Sequence, residues 1–119
     1  MEKGIHNSEV IDEVAYDTDN EELALMMTAN QDWRQDDERI EEMKAKVTRY
    51  LEFAMGGQLA EAFPDHKESK IRIQLNCHYL PNDKVMTFLE GLNEIVMKGG
   101  MRLVVNCTEA QDEAPKKQE

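Results

Sequence analysis

The clearest structural pattern in the chain lies in residues 70–79, Lys70-Ile71-Arg72-Ile73-Gln74-Leu75-Asn76-Cys77-His78-Tyr79. Its odd-numbered residues are apolar and its even-numbered residues are polar, so the hydrophobic pattern has a period of two. A β-strand with this pattern buries one side and leaves the other side in water. The stretch therefore predicts a strand in a sheet that is covered on one face only.

The hydrophobic spacing before this strand is 3.6 residues, which indicates an amphipathic helix over residues 35–55. Its apolar stripe consists of Ile40, Met43, Val47, Tyr50, Leu51 and Ala54. Asp32 or Asp36 can cap the start of this helix, and Gly56-Gly57 ends it.

The solvated side of this helix is expected to carry Glu42 and Lys46 as an ion pair four residues apart. After the helix, residues 58–63 allow one more helical turn until Pro64 stops it.

A second helix is predicted over residues 83–98, because the same spacing returns after the central strand. Asn82 or Asp83 caps its start, and Gly99-Gly100 closes its end. The apolar stripe of this helix consists of Val85, Phe88, Leu89, Leu92, Ile95 and Val96.

Three further strands complete the predicted elements. Residues 10–16 and 22–29 form a β-hairpin around a turn that is rich in Asp and Asn. Residues 101–107 alternate again and form the last strand. In the first strand Asp12 interrupts the side that is otherwise apolar.

The predicted fold is an α+β two-layer sandwich of order β-β-α-β-α-β. Each helix connects strands over a distance that suits a right-handed parallel crossover. We therefore expect a four-stranded mixed sheet with two helices on one face and the other face open. Two strand orders satisfy the connections: 1-2-3-4, and an order with the fourth strand beside the hairpin.

Length and composition indicate one domain. The chain has 119 residues, and the elements fill residues 9–107 as a single α+β domain. Residues 1–8 show no period and are expected to form a flexible leader. Residues 108–119 have too little apolar content to fold and are expected to be a disordered tail.

The charge of the chain excludes some functional classes. Its formal net charge is −11, from 25 acids and 14 bases, and all of it belongs to residues 1–69. Such a surface repels phosphate backbones and anionic membranes, whereas a basic partner would be attracted. No apolar run suits a membrane span or a signal peptide, so we expect a cytoplasmic protein.

The open sheet face is the candidate functional surface. Equivalent registers in the third and fourth strands bring Arg72 near Arg102 and Asn76 near Asn106. Together with apolar neighbours this gives a basic, amide-rich interaction surface, whose members are Met26, Arg72, Gln74, Asn76, His78, Arg102, Val104 and Asn106, with Ala24 as a further apolar contributor. The alternative interpretation is an ordinary solvated sheet face.

Catalytic chemistry has little support in the sequence. Cys77 and Cys107 lie inside apolar alternations without metal-ligand spacing and are expected to be free and buried. A disulfide between neighbouring strands is the alternative. No nucleotide-binding, nucleophile or metal motif is present, so we predict no catalytic, cofactor or metal residues.

Two functional hypotheses follow from different classes. The first is a non-catalytic protein that acts through protein–protein contacts, by self-association through the open sheet face or by an acidic helix surface that binds a basic partner. The second is a small-molecule binder or enzyme whose pocket lies near Trp33 and Tyr50.

Several short motifs resemble a known family. They are Val10-Ile11-Asp12, Asp32-Trp33 before the first helix, Tyr50-Leu51-Glu52-Phe53 inside it, and Leu59-Ala60-Glu61-Ala62-Phe63-Pro64-Asp65 after it. Over residues 9–107 the chain resembles a family of small uncharacterised bacterial proteins, classed as a domain of unknown function. The resemblance implies a compact α+β domain without an established activity. One departure is Arg34-Gln35, which stands where that family is expected to have a Ser-type cap.

Overall fold

A computed structural model describes residues 3–66 and 68–107. It contains one four-stranded sheet, formed by β1 (Glu13–Asp17), β2 (Glu22–Ala29), β3 (Lys70–Cys77) and β4 (Arg102–Cys107). The strand order is β1-β2-β3-β4, which decides between the two predicted orders. β1 pairs with β2 antiparallel, and the β2–β3 and β3–β4 pairs are parallel.

The helices follow the predicted boundaries closely. They are α1 (Asp36–Met55), the short α2 (Gln58–Ala62) and α3 (Asp83–Lys98), and a 3-10 turn at Pro64–His66 follows α2. Asn82 caps α3, because its side chain accepts a hydrogen bond from the amide of Val85 at 2.9 Å.

The start of α1 differs from the prediction. Gln35 occupies the capping position without a side-chain capping bond, so neither Asp32 nor Asp36 caps the helix. Asp32 instead accepts a hydrogen bond from the amide of Arg34 at 3.2 Å. Three acids in the first turn, Asp36, Asp37 and Glu38, still complement the positive end of the helix dipole.

The core lies between the helices and one face of the sheet. Because the strand order never reverses, right-handed crossovers put α1 and α3 on the same side. The sheet contributes alternate residues, and the buried members are Leu23, Leu25, Met27, Ala29, Ile73, Leu75 and Cys77. The two-layer architecture with one open face is thus confirmed.

One predicted core residue is placed differently. Ile95 was expected on the buried stripe of α3, but 55% of it is exposed. It lines a groove of about 510 Å³ between α1 and α3, together with Leu51, Phe88 and Gly91.

The N-terminal segment is part of the packed domain. Ile5 is 4% exposed and belongs to the hydrophobic core, and its amide donates to the carbonyl of Thr28 at 2.9 Å. The predicted domain boundary at residue 8 therefore does not coincide with the edge of the core. The expected tail, residues 108–119, lies outside the described residues.

A buried ion pair fixes this segment. Lys46 is fully buried, and its Nζ donates at 2.7 Å to each of three oxygens: Asn7 O, Val10 O and Asp12 Oδ1. The expected pair of Lys46 with Glu42 is therefore wrong, and Glu42 contacts Arg39 instead. Since an ammonium group has three N–H donors, Lys46 is fully satisfied.

Candidate functional site

The strand register fixes the composition of the open face. Residues directly opposite one another on neighbouring strands share a face. Starting from Ala24, which pairs with Ala15 and Arg72, the register assigns alternate residues of all four strands to this side. We call the open face this set: Glu13, Ala15, Asp17, Glu22, Ala24, Met26, Thr28, Lys70, Arg72, Gln74, Asn76, Arg102, Val104 and Asn106.

Four of these residues form an ionic corner: Asp17, Glu22, Arg72 and Arg102. Arg72 Nη1 lies 2.7 Å from Asp17 Oδ2 and 3.1 Å from Glu22 Oε1. Arg102 binds Glu22 with two nitrogens, Nε at 2.9 Å from Oε2 and Nη2 at 2.8 Å from Oε1. Such a bidentate contact fixes both side chains more firmly than a single hydrogen bond does.

The ionic corner keeps its carboxylates charged. The Arg72 guanidinium, with help from Asn20, holds the pKa of Asp17 well below its usual range. The hydrogen bonds from Arg102 lower the pKa of Glu22, against the opposing effect of burial. The carboxylate of Glu22 in turn raises the pKa of Arg102.

The predicted pairs of residues are therefore present, but the predicted basic character is not. Arg72 and Arg102 are register partners, as are Asn76 and Asn106. Both arginines are bound to carboxylates, which the sequence reasoning left out. Three acids (Glu13, Asp17, Glu22) and three bases (Lys70, Arg72, Arg102) share the face, so its formal charge is zero. The sequence does indicate that Glu22 lies on the open face, since Glu22 has the same parity along β2 as Ala24 and Met26.

The centre of the open face consists of amides beside apolar groups. Gln74 Nε2 donates to Asn76 Oδ1 at 2.7 Å, and Asn76 Nδ2 lies 3.6 Å from the sulfur of Met26. Met26 and Val104 are half-buried and remain partly available to a partner. Ala24 is completely buried, so it cannot contribute to an interface as expected.

His78 lies outside this arrangement. β3 ends at Cys77, one residue before His78, whose ring packs edge-on against Tyr79 with a centroid distance of 4.7 Å. The alternation of the sequence continues through His78, but the strand does not.

Trp33 and Tyr50, near which the alternative hypothesis expects a pocket, are both buried in the core. Trp33 is 4% exposed, and its Nε1 donates to the carbonyl of Tyr79 at 2.7 Å. Tyr50 is fully buried; its hydroxyl donates to Met26 O at 2.6 Å and accepts from the amide of Asp12 at 2.9 Å. Burial raises the pKa of Tyr50, which keeps it neutral. Both side chains are thus occupied with structural contacts.

Two further features, a metal-ion cluster and a membrane-spanning helix, are absent from residues 3–66 and 68–107. That part of the chain contains no cluster of three or more His, Cys, Asp or Glu side chains that could hold a metal ion. It also contains no helix with the length and hydrophobicity needed to cross a bilayer.

Comparison with known proteins identifies a family without a known activity. The sequence profile of a family of unknown function, DUF6572, matches residues 3–109. No curated protein and no solved structure matches the chain. Because the match covers most of the 119 residues, including the N-terminal segment that packs on the core, the chain belongs to the DUF6572 family.

Proposed function

We propose that this protein is a non-catalytic binding protein that associates with a second copy of itself through the open face. The observation that carries the proposal is the charge balance of an uncovered sheet face on a strongly acidic chain.

Charge favours this face over the rest of the surface. The open face is formally neutral, so the remaining 22 acids and 11 bases account for the entire net charge of −11. Two identical copies therefore repel each other in most orientations, and the repulsion is smallest when the two open faces meet.

Rigidity also favours this face. The side chains of Arg72, Arg102 and Glu22 are held by mutual ion pairs, and Gln74 is held by Asn76. Side chains that are already fixed lose little conformational entropy when a partner covers them. Met26 and Val104 supply the apolar contact between these polar groups.

The other candidate surface, on the acidic helix, is largely occupied within the molecule. Lys84 contacts Asp36 at 3.7 Å and also pairs with Asp37. Arg39 lies 3.1 Å from Glu38 and 2.9 Å from Glu42. These contacts leave less uncompensated charge for a basic partner, so the open face is the better candidate.

The area of the open face indicates how strong the dimer should be. Four strands about 4.8 Å apart, each roughly 22 Å long, give a face of roughly 400 Å² per copy, or about 800 Å² in total. Stable interfaces bury about 1,200–2,000 Å², so the dimer should be weak and transient.

Sedimentation velocity across a concentration series tests the proposal. The wild-type chain should shift from monomer toward dimer as its concentration rises from the micromolar to the millimolar range. Met26→Asp and Val104→Asp should stay monomeric, because each adds a charge to the contact surface. Met97→Asp is the matched control, since Met97 is 57% exposed on α3 and should leave the association unchanged. A wild-type chain that stays monomeric throughout, or equal effects of all three variants, would refute the proposal.

A further inference from the structure

The last residues of β3 and β4 place two cysteines side by side. Cys77 and Cys107 are direct register partners on neighbouring parallel strands, and both are free thiols. Directly opposite residues of neighbouring strands project to the same face, here the side that packs against the helices. The two sulfur atoms therefore occupy the same end of the same face.

The backbone separation suits a disulfide bond. Neighbouring strands lie roughly 4.8 Å apart, and disulfides join Cα atoms that are usually about 4.4–6.8 Å apart. Cys107 lies close enough to Cys77 to contribute to the raised pKa of the Cys77 thiol. Each also lies near a carbonyl oxygen at the strand ends, Cys77 Sγ at 3.8 Å from Asn106 O and Cys107 Sγ at 3.9 Å from His78 O.

The two cysteines differ in access to solvent. Cys77 is 1% exposed, whereas Cys107 is half-buried on the edge strand. Burial, followed by the neighbouring Cys107, raises the pKa of Cys77 to about 12. An oxidant from solution therefore reaches Cys107 first, and Cys77 lies beside it as the second thiol.

We propose that Cys77 and Cys107 form a reversible dithiol–disulfide site that is oxidised by hydroperoxides such as hydrogen peroxide. This site is distinct from the open face, because both sulfur atoms lie on the core side of the sheet.

The reaction balances in two steps. The Cys107 sulfur attacks one peroxide oxygen, the O–O bond breaks, and a sulfenic acid and one water form. The Cys77 sulfur then attacks the sulfenic sulfur; the S–O bond breaks, an S–S bond forms, and the leaving hydroxide takes the Cys77 proton as a second water. Two thiols are oxidised by two electrons and one peroxide is reduced. A small dithiol or glutathione reverses the change by thiol exchange.

Oxidation should strengthen the sheet edge without disturbing the open face. The new bond would tie the end of β4 to β3 and would close a loop of about 30 residues in the unfolded chain. We therefore expect the oxidised protein to melt several degrees higher than the reduced protein. Its self-association should be unchanged.

Peptide mapping by mass spectrometry under non-reducing conditions tests the site. The reduced full-length chain is treated with hydrogen peroxide, digested and compared with an untreated sample. We expect one intramolecular cross-linked peptide pair containing Cys77 and Cys107, which has lost two hydrogen atoms and disappears after dithiothreitol.

Serine variants separate the two roles. In Cys77→Ser the remaining thiol, Cys107, should proceed to sulfinic acid, while in Cys107→Ser the buried Cys77 should stay reduced. Circular dichroism of both variants controls for folding. Over-oxidation of Cys107 in the wild-type chain without the cross-link would overturn the proposal, as would cross-links between molecules only. The wild-type result stands even if a variant fails to fold.

Discussion

At the scale of single residues, the buried ammonium group of Lys46 decides how the N-terminal segment is held. The cost of transferring this charge from water is offset by three short hydrogen bonds, one of which is an ion pair with the carboxylate of Asp12. Asp12 in turn accepts from the amides of Gly4 and Thr28 at 3.1 and 3.0 Å. Lys46 thus joins α1 to a segment that lies more than thirty residues away in the sequence.

We predict that Lys46→Met lowers the free energy of unfolding by about 3–5 kcal/mol, because it leaves Asp12 buried without a counter-charge. Urea denaturation at neutral pH measures the change. Lys44→Met is the matched control: Lys44 is half exposed and pairs with Glu41, so its replacement should cost less than about 1 kcal/mol. Equal effects of the two variants would mean that the buried pair contributes little.

A second prediction at this scale concerns acid stability. The folded-state pKa values of Asp17 and Glu22 are lowered from 3.8 and 4.5, so both groups stabilise the fold above these values. That stability is lost as the pH falls below about 4.5 and through the lower folded-state pKa values. Arg102→Gln removes the largest cause of the shift at Glu22 and should make the chain about 1 kcal/mol less stable at pH 7.

The difference between this variant and the wild-type chain should shrink as the pH falls below about 4.5, because protonation of Glu22 removes the ion pair. Urea denaturation from pH 2 to pH 7 measures the difference. Arg34→Gln is the control, because Arg34 is largely exposed and its pair with Asp32, two residues earlier in the sequence, is screened by solvent. A stability difference for Arg102→Gln that does not depend on pH would show that the ion pair is not its source.

At the scale of elements, the sequence predicts those parts whose local pattern agrees with their packing. Residues 22–29 and 83–98 match β2 and α3 end to end, since alternation or helical spacing and the caps lead to the same result. Helix α1 was assigned correctly, and Met43, Val47 and Tyr50 of its predicted stripe are buried, but the charged residues of its buried face were missed. Arg39 and Lys46 lie on the buried face of α1. The spacing of apolar residues predicts a buried helix face but does not identify charged residues on it. The partners of Lys46 come from a distant segment, whereas Arg39 pairs with its helix neighbours Glu38 and Glu42.

The groove between α1 and α3 leads to a prediction about helix stability. Gly91 lies inside α3, and a Cβ atom added there would meet nothing within 4 Å. Because glycine is a poor helix former, Gly91→Ala should stabilise the protein by about 0.5–1 kcal/mol in thermal unfolding.

Gly57 provides the contrasting case. It caps α2 with φ at +94°, a backbone conformation that disfavours side chains. Gly57→Ala should therefore destabilise the protein by about 1 kcal/mol. If Gly91→Ala were also destabilising, the open space beside α3 would not exist in solution.

At the scale of the whole molecule, the predicted sandwich and its open face are confirmed. The sequence did not determine the strand order. Both orders satisfied the connection lengths, because crossover length does not specify which edge the last strand joins. The candidate site was predictable as a set of residues, since parity along each strand assigns them to one face. The same parity places Glu13, Asp17 and Glu22 on this face and therefore also indicates its neutral charge. The individual ion pairs of Arg72 and Arg102 were not predictable, because their partners come from β1 and β2.

The charge distribution predicts a salt dependence of self-association. Raising the ionic strength from about 0.01 M to about 0.1 M shortens the screening length from about 30 to about 10 Å. Repulsion between two copies that each carry −11 then weakens, so the dimer dissociation constant should fall several-fold. Sedimentation velocity at both salt concentrations measures this. A dissociation constant that rises with salt would instead mean that ion pairs between copies hold the dimer.

The most direct test of an interface on the open face is a dilution series followed by amide resonances in ¹H–¹⁵N correlation spectra. Between the micromolar and millimolar ranges, we predict concentration-dependent shifts at Met26, Gln74, Asn76 and Val104, and none at Phe88 and Ile95 in the helix groove. Shifts confined to the groove, or spectra that do not change with concentration, would contradict the account.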